Sequence, residues 1–551
     1  MIEVETDFII IGSGAAGALL ANRLSADPRH RVLLVEAGGA DLNPLIKVPM
    51  AAGVLYHWPG VNWGYETTPQ NGLAGRSIVW PRGRVRGGST AINGMMHIRG
   101  NARDYDDWRQ LGLAGWSYDD VLPAFRRFER NASHRNAYHG ADGELYTEKA
   151  RGDHPLYRAW LDAARAAGFP DNADFNGAAQ EGVGLYDFNI RNGRRVTAAN
   201  AFLDPIRGRA NLDVWLNTQA LRLTFEGRRC TGVLVRRGSR EIRIAVRRET
   251  LVCGGAVNSP LLLMRSGLGD AQALQALGIA PILNRPEIGR NLQDHLGVYV
   301  QHACLKPVTL YGLMRPDRAL AAGFRAWAFG SGPAASVPLE AGGFLRTRPT
   351  LDAPDVHVTF VPGLSLAATQ RGQMQHGFLT NVYQLRPQSR GSIRLASSDP
   401  RDKPIIDPNY LSAEEDRRCL RDGVRLARAI AEQAPLTPWR GDELAPGRAV
   451  ESDSEIDDWV RANANTIFHP VGTCRMGGDD HAVLDAALRV RGVAALRVVD
   501  ASAMPRIISG NTAAPTMMIA EKAAALILAP AQEASAVVSD APAPAATACT
   551  A

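Results

Sequence analysis

Residues 8–11 (Phe-Ile-Ile-Ile) form an apolar run with no polar alternation, the pattern of a strand buried on both faces. Residues 18–24 then place Ala and Leu at helical spacing, and 31–35 form a second apolar run. Further on, 212–223, 230–235 and 242–246 read as strands of antiparallel or mixed kind, and 250–253 reads as another buried strand. Residues 118–130, 156–167 and 414–432 carry helical periodicity. Between about 300 and 460 the runs shorten and alternate, as at 356–360 and 392–395, with Pro and Gly loops between them. That change predicts a second unit built on an antiparallel sheet. Residues 496–500 read as a strand and 517–528 as a closing helix. The stretch 40–80, with Pro44, Pro49, Pro59 and Pro69 among Trp58 and Trp63, is too apolar for a linker and predicts irregular chain laid across something, such as a cofactor.

Composition narrows the class. With 551 residues and 45% hydrophobic content the chain is long enough for two or more domains. The 62 basic residues exceed the 56 acidic ones by only 6, spread along the chain, which excludes a nucleic-acid footprint. Six cysteines (Cys230, Cys253, Cys304, Cys419, Cys474, Cys549) show no CxxC spacing, so neither a metal site nor a disulfide framework is expected. A reducing, cytoplasmic setting follows, and contact with the periphery of the inner membrane is compatible with it. The first strand begins by residue 7, leaving no room for a signal peptide, and no run of eighteen apolar residues is present. From Pro530 the composition shifts to Ala, Pro, Ser and Thr, and 530–551 is expected to be a disordered tail.

Candidate chemistry begins between the first two apolar runs. Gly12-Ser13-Gly14-Ala15-Ala16-Gly17 joins strand to helix, and Glu36 ends the second strand nineteen residues after Gly17. This is the G-x-G-x-x-G dinucleotide fingerprint in its structural context. Gly12 permits the turn, Gly14 lets backbone approach a pyrophosphate at the helix N-terminus, and Gly17 permits close helix–strand packing. Glu36 can accept hydrogen bonds from a ribose diol. FAD and NAD both fit this motif.

Later segments resolve the choice by resemblance. The stretch Trp80-Pro81-Arg82-Gly83-Arg84-Val85-Arg86-Gly87-Gly88-Ser89-Thr90-Ala91-Ile92-Asn93-Gly94-Met95 resembles the flavin-wrapping segment of the glucose–methanol–choline (GMC) oxidoreductases. A second signature runs from Gly255 to Gly269, where Ser259-Pro260 reads as a helix cap and first-turn proline. The segments Asn291-Leu292-Gln293-Asp294-His295 and Phe468-His469-Pro470-Val471-Gly472 are family-like too, as is Ser509-Gly510-Asn511-Thr512. The resemblance covers roughly 5–528. It implies an α/β (mixed α+β) fold: a Rossmann-like FAD-binding domain and a substrate-binding domain on an antiparallel sheet. Residues 1–300 would form the N-terminal part of the FAD domain, 301–460 mainly the substrate domain, and 461–529 a return to the FAD domain with the catalytic residues. The family's C-terminal region would span about 388–525.

The resemblance also implies site residues. Gly12, Gly14, Ala16, Gly17, Glu36, Gly88, Ser89, Asn93, Met95, Ala220, Asp500, Ala501 and Thr512 would hold FAD. Ile92 stands where members with covalent FAD often carry His, so non-covalent FAD is expected. Arg86 stands where the family usually has an aliphatic residue. His469 would act as base and Asn511 would orient the substrate hydroxyl. His295 is set aside as structural. Asn511 or Thr512 would cap the closing helix, with Pro515 in its first turn. The implied reaction is oxidation of a primary alcohol to an aldehyde with hydride transfer to flavin N5. The electrons would pass to a quinone or similar acceptor. An oxygen-using alcohol oxidase and a non-redox hydroxynitrile lyase are the alternatives on the same fold. Glu340 lies in a segment approaching the pocket, where a carboxylate can face a quaternary ammonium. Phe468 argues instead for a neutral or aromatic alcohol.

Overall fold

The computed structural model describes residues 3–365 and 375–529. The tail 530–551, with Cys549, lies outside the described residues. Two seven-stranded sheets organise the chain. The first runs in the order Leu212–Trp215, Val32–Val35, Glu3–Ile11, Arg240–Val252, Arg229–Arg237, Thr218–Glu226. Its first four strands are parallel, and the last three form an antiparallel meander. Arg240–Val252 serves two neighbours along one edge: its early half pairs with Arg229–Arg237 and Thr250–Val252 pair with Leu496–Val498. The burial of Val32–Val35 on every residue is what a continuous apolar run requires.

The second sheet is antiparallel throughout, in the order Arg440–Ala445, Leu296–Cys304, Gly377–Gln384, Val356–Val361, Ala341–Leu345, Gly182–Leu185. Its first strand to pair, Gly182–Leu185, belongs by sequence to the 1–300 segment, so the chain visits the second sheet before finishing the first. The helix Glu414–Ala431 packs against Gly377–Gln384, and Gly423 leaves room for Val382, whose side chain would lie 2.7 Å from an added Cβ.

Several local expectations change in the folded chain. The run 212–223 breaks into Leu212–Trp215 and Thr218–Glu226 because Asn217 takes a left-handed turn (φ 51°). The runs 242–246 and 250–253 fuse into one strand. Of residues 392–395, Ser392–Arg394 pair with Ile405–Asp407 in a separate ribbon. The stretch 40–80 contains short helical turns at Pro44–Lys47, Pro49–Ala51 and Ala52–Leu55. The helix expected to start at Ser259-Pro260 starts at Gly255 and runs to Arg265, with Pro260 inside it. Pro260 has no N–H to offer Ala256 O, and the Thr473 hydroxyl donates to that carbonyl instead at 2.6 Å. Ser259 points its hydroxyl at Asp500.

The closing helix Ala513–Leu528 packs beside the first helix, Ala15–Leu24. Arg23 fastens the pair, contacting Glu521 at 2.9 Å and Glu144 at 2.6 Å. Both helices present their N-terminal residues to the same cavity.

Candidate active site

A cavity of about 630 Å³ runs from the glycine fingerprint to His469 and Asn511, between the two sheets. Of the fifteen predicted site residues, all but Gly17 line it. Gly17 acts one layer back: a Cβ there would stand 1.8 Å from Gly12 O, so the helix can lie on the strand only with glycine. Gly88, at φ +55°, meets Gly14 back to back, and its Cβ would fall 2.7 Å from Gly14 Cα. The two segments therefore form one bare backbone cradle. Ser13 stitches them together: its Oγ donates to Glu36 Oε2 at 2.7 Å and accepts from Gly87 N at 3.2 Å.

Glu36 is buried and already accepts from the Ser13 and Gly38 amides at 2.9 and 2.8 Å. Burial raises its pKa, and those hydrogen bonds oppose the rise. Oε2 takes both Ser13 donors, while Oε1, with the Gly38 amide alone, keeps a lone pair for a further donor. Asp500, on the far side, accepts from Gly255 N (2.8 Å) and Ser259 Oγ (2.5 Å) through one oxygen and from Ser502 through the other. Burial raises its pKa as well. Arg86, the departure from the family pattern, ion-pairs with Asp41 at 3.1 Å and with Asp204, tying the segment after Glu36 to the segment after Phe202.

At the other end, strand pairing assembles the chemistry. Asn465–Thr466 pairs with Leu296–Gly297, which brings His295 and His469 together although 174 residues separate them. The loop carrying His469 is held from several sides. Asp294 Oδ1 accepts from His469 N at 2.7 Å, while Oδ2 accepts from Thr466 Oγ1 at 2.5 Å and from the Tyr410 hydroxyl. Arg82 Nη2 donates to Phe468 O at 2.6 Å. These contacts hold Phe468 at φ +67°, a left-handed value unusual for an aromatic residue. Burial pushes the Asp294 carboxyl up to about 6, against its hydrogen bonds to Thr466 and Tyr410.

The hydrogen bonds decide the protonation of His469. Leu385 O can only accept, so His295 Nε2, 3.0 Å away, carries the proton of that ring. His295 Nδ1 then accepts, and His469 Nδ1, at 2.9 Å, donates to it. His469 Nε2 is left unprotonated, facing Asn511 Nδ2 at 3.1 Å. Burial holds His469 well below the ordinary histidine pKa, with His295 and Arg82 adding to the shift. His295 is pushed down to about 4 by burial, opposed by the Leu385 carbonyl. The cavity thus presents a neutral imidazole whose free lone pair is aimed at Asn511.

Two expectations are corrected here. The closing helix has Thr512 at its N-cap, but neither Thr512 nor Asn511 caps it through a side chain; the Asn511 amide is committed to His469. Glu340 does not reach the cavity: it accepts from Gly152 N at 2.8 Å and from the Ser336 hydroxyl, and its neighbour Leu339 is the residue in the wall. His295, set aside as structural in the sequence, lies 2.9 Å from His469 through the two Nδ1 atoms. Nothing local marks it; the cross-strand register does. Sequence reasoning also passed over Tyr56, Tyr299, Thr359, Asn381 and Tyr383, which line the wall beside His469. Thr359, Asn381 and Tyr299 share one cross-strand row, a grouping legible only once the sheet is paired.

The backbone cradle at Gly12, Gly14 and Gly88, the acid at Glu36, and the helix N-terminus at Thr512–Ala513 fit FAD: they supply room for a pyrophosphate, an acceptor for a ribose and a positive dipole end for the ring system. The sequence matches the GMC oxidoreductase family over residues 6–297 and 387–520. It is 44% identical to the mitochondrial choline dehydrogenase of Mus musculus over 533 residues, covering 95% of this chain and 89% of the relative. It is 42% identical to the oxygen-dependent choline dehydrogenase of Brucella anthropi, covering 95% and 96%. Among solved structures, pyridoxine 4-oxidase of Mesorbium loti superposes with a TM-score of 0.85 at 34% identity, over 94% of this chain and 98% of that one. Formate oxidase of Aspergillus oryzae reaches 0.90 at 25% identity, over 97% and 100%. Taken with the cradle and the His469–Asn511 pair, these matches place the chain in the GMC oxidoreductase family of FAD-dependent enzymes.

Proposed function

We propose that this enzyme oxidises a neutral primary alcohol to the aldehyde, with His469 Nε2 as the base that takes the hydroxyl proton. The observation that carries the reading is the forced tautomer: a buried, neutral imidazole with its lone pair toward Asn511. Asn511 Nδ2 donates to the substrate oxygen and holds the hydroxyl within reach of His469. FAD, when bound, supplies the two-electron acceptor for the hydride that leaves the carbinol carbon. The surrounding wall of Leu339, Val361, Leu379 and Phe468 excludes water.

Neutral charge follows from the lining. The carboxylates among the described cavity residues are Glu36 and Asp500, both committed to backbone amides at the fingerprint end. Near His469 the charged group in the lining itself is Arg82; Asp294 lies behind His469 with its oxygens taken by His469 N, Thr466 and Tyr410, and Arg195 donates to Asn93 Oδ1 of the wall at 3.0 Å. Half-buried Arg82 and buried Arg195 oppose entry of a quaternary ammonium. This favours neutral aliphatic or aromatic alcohols over choline, despite the names of the relatives. A quinone or similar acceptor takes the electrons; relatives named as oxidases or as oxygen-dependent make dioxygen the second reading.

The test is anaerobic reduction of the bound flavin across a panel of benzyl, furfuryl and linear primary alcohols beside choline. Neutral alcohols should bleach the flavin and choline should not; bleaching by choline alone overturns the assignment, and bleaching by no alcohol favours the lyase alternative. Repeating the active substrates with dioxygen and with a quinone identifies the acceptor. His469→Ala should retain FAD and lose at least about 100-fold in reduction rate.

A further inference from the structure

Seven of the thirteen exposed large apolar side chains among the described residues fall between 305 and 329. They centre on the helix Pro316–Phe329. Its inner face is made of small residues: Ala322 and Ala326 pack against Val48 and Ala51. Its outer face carries Leu320, Phe324 and Phe329, which are 75%, 60% and 72% exposed. Phe324 holds Trp327 at 6.1 Å and Phe329 at 6.2 Å, so three rings form a cluster on the protein surface. The helix end needs no further polar partner, because Arg194 Nη2 donates to the carbonyls of Trp327 and Ala328 at 3.2 and 3.0 Å.

The charges beside this face are predominantly positive. Residues 305–331 contain Lys306, Arg315, Arg318 and Arg325 against a single acid, Asp317, which pairs with Arg315 at 3.2 Å. With 14 residues the helix is too short to cross a bilayer, and none of the described helices is long and apolar enough to do so. An apolar, aromatic-rich face rimmed by cations on a short helix is the composition of an element that lies in the plane of an anionic lipid surface. Arg and Lys extend their charged ends to headgroups while their stems stay against apolar matter, and Trp suits the same boundary. A second copy fits less well, since a two-fold pairing would set Arg318 and Arg325 against their own counterparts.

We propose that the Pro316–Phe329 face docks the enzyme on an anionic membrane. The helix shares its supports with one wall of the cavity. Ala51 leads directly into Gly53, Tyr56 and His57, and the turn before the helix bonds Leu310 N to Pro362 O at 2.8 Å, just ahead of Leu364 and Ser365. Docking would therefore set that wall next to the lipid.

The experiment uses the full-length, FAD-loaded protein in co-sedimentation with three samples: vesicles of phosphatidylcholine with phosphatidylglycerol, vesicles of phosphatidylcholine alone, and no vesicles. Binding to the mixed vesicles should exceed binding to phosphatidylcholine at least about tenfold. Leu320→Asp combined with Phe324→Asp and Phe329→Asp should abolish it while alcohol-driven flavin reduction stays unchanged. Arg318→Glu with Arg325→Glu, a pair that leaves the apolar face intact, should weaken binding about fivefold per charge removed. Arg228→Glu with Arg240→Glu, at the two ends of the strand Arg229–Arg237 in the first sheet, should leave binding as it is. The proposal is overturned by wild-type protein that stays in the supernatant, by equal losses in the two charge-reversal pairs, or by a wild-type dimer that the triple variant converts to monomer with no vesicle binding.

Discussion

His295→Ala tests the tautomer argument most directly. In the native site the proton on His469 Nδ1 has one acceptor, His295 Nδ1 at 2.9 Å. Removing that ring leaves a buried N–H without a partner, which costs about 1–3 kcal/mol. The alternative tautomer, with the proton on Nε2, has a partner waiting. Asn511 Oδ1 is buried and unbonded among the described residues, so half a turn of the amide offers it to Nε2–H. The variant should therefore move most of the His469 population into the form that cannot take a proton. The penalty of about 1–3 kcal/mol corresponds to about a 5- to 150-fold fall in the productive fraction. The assay is stopped-flow flavin reduction under anaerobic conditions at saturating alcohol, with the flavin spectrum confirming that FAD stays bound. His295→Asn restores an acceptor near the Nδ1 position and should recover most of the rate; a merely space-filling residue such as Leu should not. A His295→Ala enzyme reducing its flavin within twofold of wild type would refute the reasoning, and so would an Asn variant no faster than the Ala one.

Three further outcomes are expected. Gly88→Ala forces a Cβ to 2.7 Å from Gly14 Cα at a left-handed φ, so the purified variant should lose its FAD, read as the ratio of flavin to protein absorbance. Ile92 packs with Ile46, Leu55 and Val61 and offers no nucleophile, so acid precipitation should leave a colourless pellet and a yellow supernatant. The His295 pKa is lowered to about 4 in the folded state from about 6.5 unfolded, so below pH 6.5 the unfolded chain binds the proton first and stability falls until about pH 4, by about 3 kcal/mol in total. Asp294, raised to about 6, titrates in the opposite sense, so the measurement is the difference in denaturant midpoint between wild type and His295→Asn from pH 7.5 to 5; the gap should close as pH falls.

Much was determined along the chain itself. The strand Glu3–Ile11, the glycines that follow and Glu36 are contiguous, and their meaning rests on local backbone geometry and period, which short-range pattern records. The helix Glu414–Ala431 and the strand Val356–Val361 were legible for the same reason, although both faces of that strand are buried. His469 and Asn511 were legible only by resemblance, since nothing in a His-Pro turn announces a base. What tertiary structure alone decided is which groups meet. The pairing of Leu296 with Thr466 turns His295 from a core histidine into the acceptor that sets the protonation of His469. The strand register sends Glu340 to Gly152 and Ser336, away from the cavity, and so removes the carboxylate that would suit a cation. Thr473 completes the helix broken at Pro260 from more than two hundred residues away. Sequence periodicity carries the face a residue occupies, but the partner across a sheet depends on loop closure and register over long separations, and that is set by packing of the whole molecule.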